Sequence, residues 1–142
     1  MNTNKFLIGG IVGGIAYFLL GWLVYGMLLM DFMTNNGGTA TGVMKAQGDM
    51  IWWALILGNL LSGFALAYVL SKAGATSVTA GATVGAVFGL LVCAAFDFTM
   101  YGTSNIMSMK GMAADICAST VMSAIVGAIV GGVLGSGRKV VA

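Results

Sequence analysis

The sequence predicts an all-α, polytopic membrane protein with four transmembrane helices. Two observations carry this prediction. Four apolar runs, at about residues 6–30, 51–71, 78–101 and 112–135, fill almost the whole 142-residue chain. Each exceeds the roughly 18–20 residues that an α-helix needs to cross a hydrocarbon core about 30 Å thick. Composition agrees: 59% of residues are hydrophobic and only 7% are charged, against about 25% charged in a soluble domain that must cover its surface. Lipid is the solvent this fold is built for.

The four spans account for residues 1–142 as a single transmembrane domain, with no room for a second, soluble one. The first run comes directly after Lys5 and so resembles a secretory signal. It continues to about Met30 with no Ala-x-Ala-like site directly after it, and reads as a retained first span. The second opens on Trp52 and Trp53, amphipathic rings that prefer the membrane boundary. The third and fourth enclose Asp97 and Asp115. The chain has no proline, so no helix is expected to kink by the usual device.

Four spans return the chain to its starting side. One side carries Lys5, Lys72, Arg138 and Lys139 and no acid. The other carries Lys45 and Lys110, with all four acids (Asp31, Asp49, Asp97 and Asp115) on or near it. Lysine and arginine accumulate in cytoplasmic loops and acids contribute little. The expectation is a multi-pass protein of the cell (inner) membrane with both termini cytoplasmic.

The two halves look related. Gly10-Ile-Val-Gly-Gly14 of the first span matches Gly81-Ala-Thr-Val-Gly85 of the third, and the same shift pairs Tyr25 with Phe96. A separate shift pairs Asp49 with Asp115 and Lys72 with Arg138. These matches suggest a tandem duplication of a two-helix hairpin; Gly-rich apolar sequences also match one another easily. Gly10/Gly14, Gly81/Gly85/Gly89 and Gly127/Gly131 repeat at four-residue spacing. Small residues so spaced share one helix face and let backbones approach closely, which is how helices pack where lipid removes the hydrophobic drive. Seams left over after packing would point to a partner helix.

Two readings compete for the polar residues within the spans. Asp97 and Asp115 sit about one turn inside the third and fourth spans, at similar depth. With Lys110, Thr99 and Tyr101 they would form an outer-leaflet polar cluster. A charge at mid-bilayer costs about 2.5–3.5 kcal/mol, and less near the interface. The cluster is therefore either a salt bridge that pins the outer ends or an ion or proton site. Asn59 lies at mid-depth in the second span, with Ser62 a turn on; Thr83, Ser119, Thr120 and Ser123 are similarly placed. They read as interhelical polar glue or, for Asn59, as a solute contact.

Other chemistries fare poorly. The chain has no histidine and no glutamate, so the usual base for nucleophilic catalysis is missing. No enzymatic activity, cofactor or metal is expected. Cys93 and Cys117 read as small buried residues. The eleven methionines are irregularly spaced, which suits flexible apolar packing better than soft-metal binding. A net charge of +2 with no basic stretch argues against nucleic acid.

Gly21-Trp-Leu-Val-Tyr25-Gly-Met-Leu-Leu29, ending a Gly-rich first span, and the closing Ile125-Val-Gly-Ala-Ile-Val-Gly131 resemble a broad family of small bacterial four-span membrane proteins of unknown function. The resemblance covers most of the chain and implies a membrane fold. Asn59-Leu-Leu-Ser-Gly63 is similar to the second helix of small dual-topology fluoride channels, but their first-helix arginine and third-helix break have no counterpart here. Small multidrug exporters share the length and four spans, yet depend on a first-helix glutamate that is absent. The functional expectation is a non-enzymatic protein with an assembly or structural role, as a homo-oligomer or with other membrane-protein subunits in the bilayer. The alternative is a small solute or ion transporter using Asp97, Asp115 and Asn59.

Overall fold

A computed structural model describes residues 2–136. Arg138 and Lys139, which enter the charge count and the Lys72/Arg138 pairing, lie outside the described residues. The chain is an all-α membrane protein. The first span is α1 (Thr3–Leu23) continued by a π-helical turn (Val24–Leu28); a short α2 (Met30–Asn35) and a 3-10 turn (Gln47–Asp49) come next. The other spans are α3 (Trp52–Lys72), α4 (Val78–Thr103) and α5 (Met109–Gly135). All four are long and apolar enough to cross a membrane.

Short polar side chains start these helices. The Asn2 side chain accepts from Lys5 N at 3.2 Å, Ser77 Oγ from Ala80 N at 3.2 Å and Ser108 Oγ from Gly111 N at 3.1 Å. Each satisfies an amide that has no partner in the first turn. α3 ends on Gly74 at φ +66°. Ala75 N then bonds back to Leu70 O at 2.9 Å and Gly74 N to Ser71 O at 3.4 Å, the paired bonds that close a helix through a left-handed glycine.

The spans form two hairpins, α1 with α3 and α4 with α5, and α5 also packs on α1. Glycine makes both hairpins. A Cβ on Gly63 of α3 would collide with the backbone of Gly10 and Gly14; one on Gly127 of α5 would collide with that of Gly81 and Gly85. Gly131 lies against Gly81, and Gly89 against Ser123. The space over Gly10 is filled by the Phe64 ring, which also sits 5.7 Å from the ring of Phe6.

The two hairpins share one packing pattern. Gly63, Leu66, Ala67 and Leu70 are buried on α3; Gly127, Val130, Gly131 and Leu134 are buried on α5. These sets coincide at an offset of 64 residues (63 to 127), whereas the Asp49–Asp115 match implies 66. The offset of 64 is the one that keeps Gly10 equivalent to Gly81 and Gly14 to Gly85 across their seams.

Leu66, Leu70, Val126 and Val130 form the buried core, while Trp53, Leu28 and Leu91 are more than 60% exposed. That outer surface faces lipid. The Lys5 ammonium donates to the carbonyls of Leu134 and Ser136, so the start of α1 and the end of α5 lie at the same end of the bundle. A cation there also complements the partial negative charge of a helix C-terminus.

Candidate cation site

At the opposite end, the loops that close the two hairpins are stitched together. Gly37 and Met107 form an isolated antiparallel bridge. Gly38 N donates to Ile106 O at 3.2 Å and Ala40 N to Asn105 O at 3.0 Å, and Ser108 Oγ donates to Asn36 O. Beneath them lie Asp97, six residues before the end of α4, and Asp115, six residues after the start of α5. At 1.5 Å per residue both sit about 9 Å inside their helix ends.

Asp97 is fully buried, the only charged side chain so enclosed among the described residues. Cys93 lies one turn before it on the same face. Its Sγ is 3.4 Å from Asp97 Oδ2 and 3.9 Å from Asp115 Oδ2. One ligand atom from each of Cys93, Asp97 and Asp115 falls within 4.8 Å of the others. Tyr25 reaches in from the first span, and its hydroxyl donates to Asp115 Oδ1. Asp97 Oδ1 has no hydrogen-bond partner.

Tyr25 belongs to the π turn, closed by Leu29 N to Val24 O at 2.7 Å. A π turn adds one residue to a helical turn, rotating the remainder of the span by roughly 100° about the axis, and such turns recur at functional sites. It interrupts the continuous α-helix expected for the first span without any proline.

Several expected members are elsewhere. Lys110 is exposed and makes no ion pair among the described residues. Five positions along an α-helix turn about 140°, so Lys110 and Asp115 point away from each other. Thr99 donates to Ala95 O on its own helix at 2.7 Å, and Tyr101 is exposed. The Asn59 side chain donates to Leu55 O at 2.8 Å; it belongs to the α1–α3 seam and not to the aspartate cluster. Ser62, Thr83 and Thr120 likewise bond the carbonyl four residues back, as short hydroxyl side chains do when the helix offers no better partner. Two of these glue candidates are bonded across helices: Ser123 accepts from Tyr17 at 2.9 Å, and the Ser119 side chain hydrogen-bonds the Cys93 thiol. Cys93 and Cys117 are both free; Cys93 is half-buried and Cys117 is exposed, not buried as expected.

Tyr25 and Cys93 are therefore the members that sequence reasoning missed. The Cys93–Asp97 spacing of four was a readable signal, because four residues share a helix face. Nothing in the sequence marked the π turn in which Tyr25 lies.

Comparison with protein-family models, curated proteins and solved structures gives no match, so function rests on this cluster. Two carboxylates gathered beside a thiol on adjacent spans are costly as anions unless a proton or a cation neutralises them. The arrangement has donor oxygens and sulfur ready for one.

Proposed function

We propose that this chain is a small cation transporter of the membrane. The observation that carries the reading is the complete burial of Asp97 beside Asp115 with no basic side chain to neutralise them. Intramembrane carboxylates face the bundle interior, pair, or mark an ion path; here the first condition holds and a basic partner is missing among the described residues. The orphan oxygen of Asp97 supports a site with a missing occupant, since buried polar atoms are nearly always paired. The charge distribution supports an inner-membrane location with both termini cytoplasmic. No catalytic step enters this reading.

Assembly as a homo-oligomer or as a subunit of a larger membrane complex is the second reading. Most glycine seams are used inside the bundle, which removes much of its basis. One observation favours it: Gly58 faces open space, beside the exposed Ser62 and Leu61.

Reconstitution into liposomes tests the first reading. Wild-type protein should dissipate an imposed proton or divalent-cation gradient, and Asp97→Asn should not while remaining monodisperse in detergent. No flux from wild type, with native mass spectrometry finding a stoichiometric foreign partner, would replace it with the second.

A further inference from the structure

The geometry points to a borderline-soft divalent metal ion, of the Zn2+ or Co2+ kind, as the occupant, held by Cys93 Sγ, Asp97 and Asp115. This inference rests on the cation-transporter reading and names its substrate class.

The spacing of the donors is the first argument. Zn–S bonds of about 2.3 Å and Zn–O bonds of about 2.1 Å at a tetrahedral angle place sulfur and oxygen about 3.6 Å apart. The observed separations from Cys93 Sγ are 3.4 Å to Asp97 Oδ2 and 3.9 Å to Asp115 Oδ2. They bracket the required value, and the donor atoms of all three residues lie within 4.8 Å of one another. Asp97 is fully buried and its second oxygen, Oδ1, has no hydrogen-bond partner; a cation bound by both oxygens of this carboxylate would satisfy the atom that the protein leaves unpaired.

Donor chemistry sets the metal class. Mg2+ and Ca2+ take six or more oxygens and leave thiols alone. A thiolate with two carboxylates suits Zn2+ and its neighbours. Three protein donors leave a fourth position open, as in sites that exchange a ligand, whereas structural zinc sites are closed by four. On binding, the Cys93 S–H bond breaks, sulfur keeps the electron pair to bond the metal, and the proton leaves to bulk water.

Tyr25 is a positioning residue. Its hydroxyl donates to Asp115 Oδ1 and leaves Oδ2, the oxygen nearer Cys93, to the metal. Outer hydrogen bonds of this kind orient a ligating carboxylate and are worth about 10–100-fold in metal affinity.

Cobalt titration of purified Cys117→Ser protein tests the inference. Cys93 is then the sole thiol, so a sulfur-to-cobalt charge-transfer band reports it without a Cys93 variant having to fold. We expect one equivalent of Co2+ to give that band, Zn2+ to displace it and excess Mg2+ to leave it. Cys93→Ser, where folded, should lose the band, and Tyr25→Phe should keep it with affinity about 10–100-fold weaker. Cobalt binding without the band, no binding, or displacement by Mg2+ would overturn the inference. If cobalt fails to bind while Asp97-dependent flux persists in liposomes, the transporter reading stands and the metal class falls. Cobalt bound in the expected way with no flux for any cation reverses that outcome.

Discussion

Tyr25 of the first span and Asp115 of α5 are hydrogen-bonded across the interface between the first and last spans. Tyr17 and Ser123 repeat the relationship deeper in the bundle. In each pair the first-span position advances as the α5 position recedes by the same eight residues, so both contacts belong to one antiparallel register. Two hydroxyl bonds thus fix how the first hairpin sits on the second.

The two bonds should differ in strength. Interhelical hydrogen bonds in membranes contribute about 0.6 kcal/mol on average, with a maximum near 1.7 kcal/mol, and bonds to charged groups are the stronger kind. Tyr17→Phe should cost about 0.6 kcal/mol and Tyr25→Phe about 1.5 kcal/mol. Unfolding in mixed micelles measures both; equal losses would show that the carboxylate adds nothing.

Gly85 and Gly58 should respond oppositely to the same change. A Cβ at Gly85 would meet the Ser123 carbonyl and come 3.0 Å from Gly127 Cα, while nothing lies within 4 Å of a Cβ at Gly58. Gly85→Leu should cost more than the roughly 1–3 kcal/mol typical of overpacking, because the atoms in the way are backbone. Gly58→Leu should leave thermal stability in detergent at the wild-type value. Destabilisation or dissociation of a larger species by Gly58→Leu would reveal a partner helix on that face.

Lys110→Gln should be silent. The side chain is exposed and unpaired among the described residues, and surface changes of this kind fall within about 0.5 kcal/mol. Thermal unfolding of Lys110→Gln alone and with Asp115→Asn checks this. A coupling energy above that level would restore the ion pair expected from the sequence.

Gly74→Ala should cost about 1–2 kcal/mol, since φ +66° is unfavourable for any residue with a Cβ. Its Cβ would meet nothing within 4 Å, so the loss, read from thermal unfolding, should come from backbone conformation alone. Wild-type stability would mean that the turn relaxes.

Orientation can be tested in a chain with Cys93 and Cys117 replaced by serine. Met44→Cys, in the loop after α2, should react with an impermeant thiol reagent in intact cells, and Ala73→Cys, after α3, should not. Both positions are exposed. The reverse labelling would invert the topology argued from Lys5 and Lys72.

Much of the fold was legible because crossing a bilayer constrains length and composition so tightly. The spans and the glycine spacing of Gly81/Gly85/Gly89 are all set by local sequence. What escaped depends on azimuth and register. Lys110 and Asp115 are close along the chain but diverge around the helix. Cys93 is farther from Asp115 in sequence yet touches it. The 66-residue shift rested on end charges, which lipid packing does not constrain; the buried positions of α3 and α5 coincide at 64 instead. Tyr25 lies in a π turn that no single residue announces.

The division of the cluster between hairpins also bears on how the protein is made. Cys93, Asp97 and Asp115 all come from the second hairpin, and the Tyr25 hydroxyl from the first. Each hairpin has its own glycine seam and can zip as soon as its second helix is inserted. The carboxylates therefore enter the bilayer before the tyrosine is docked on them, and the Lys5 clamp onto Leu134 and Ser136 can form only once translation has passed those residues. The cluster is therefore complete only when the two hairpins are docked, because only then does the Tyr25 hydroxyl meet Asp115.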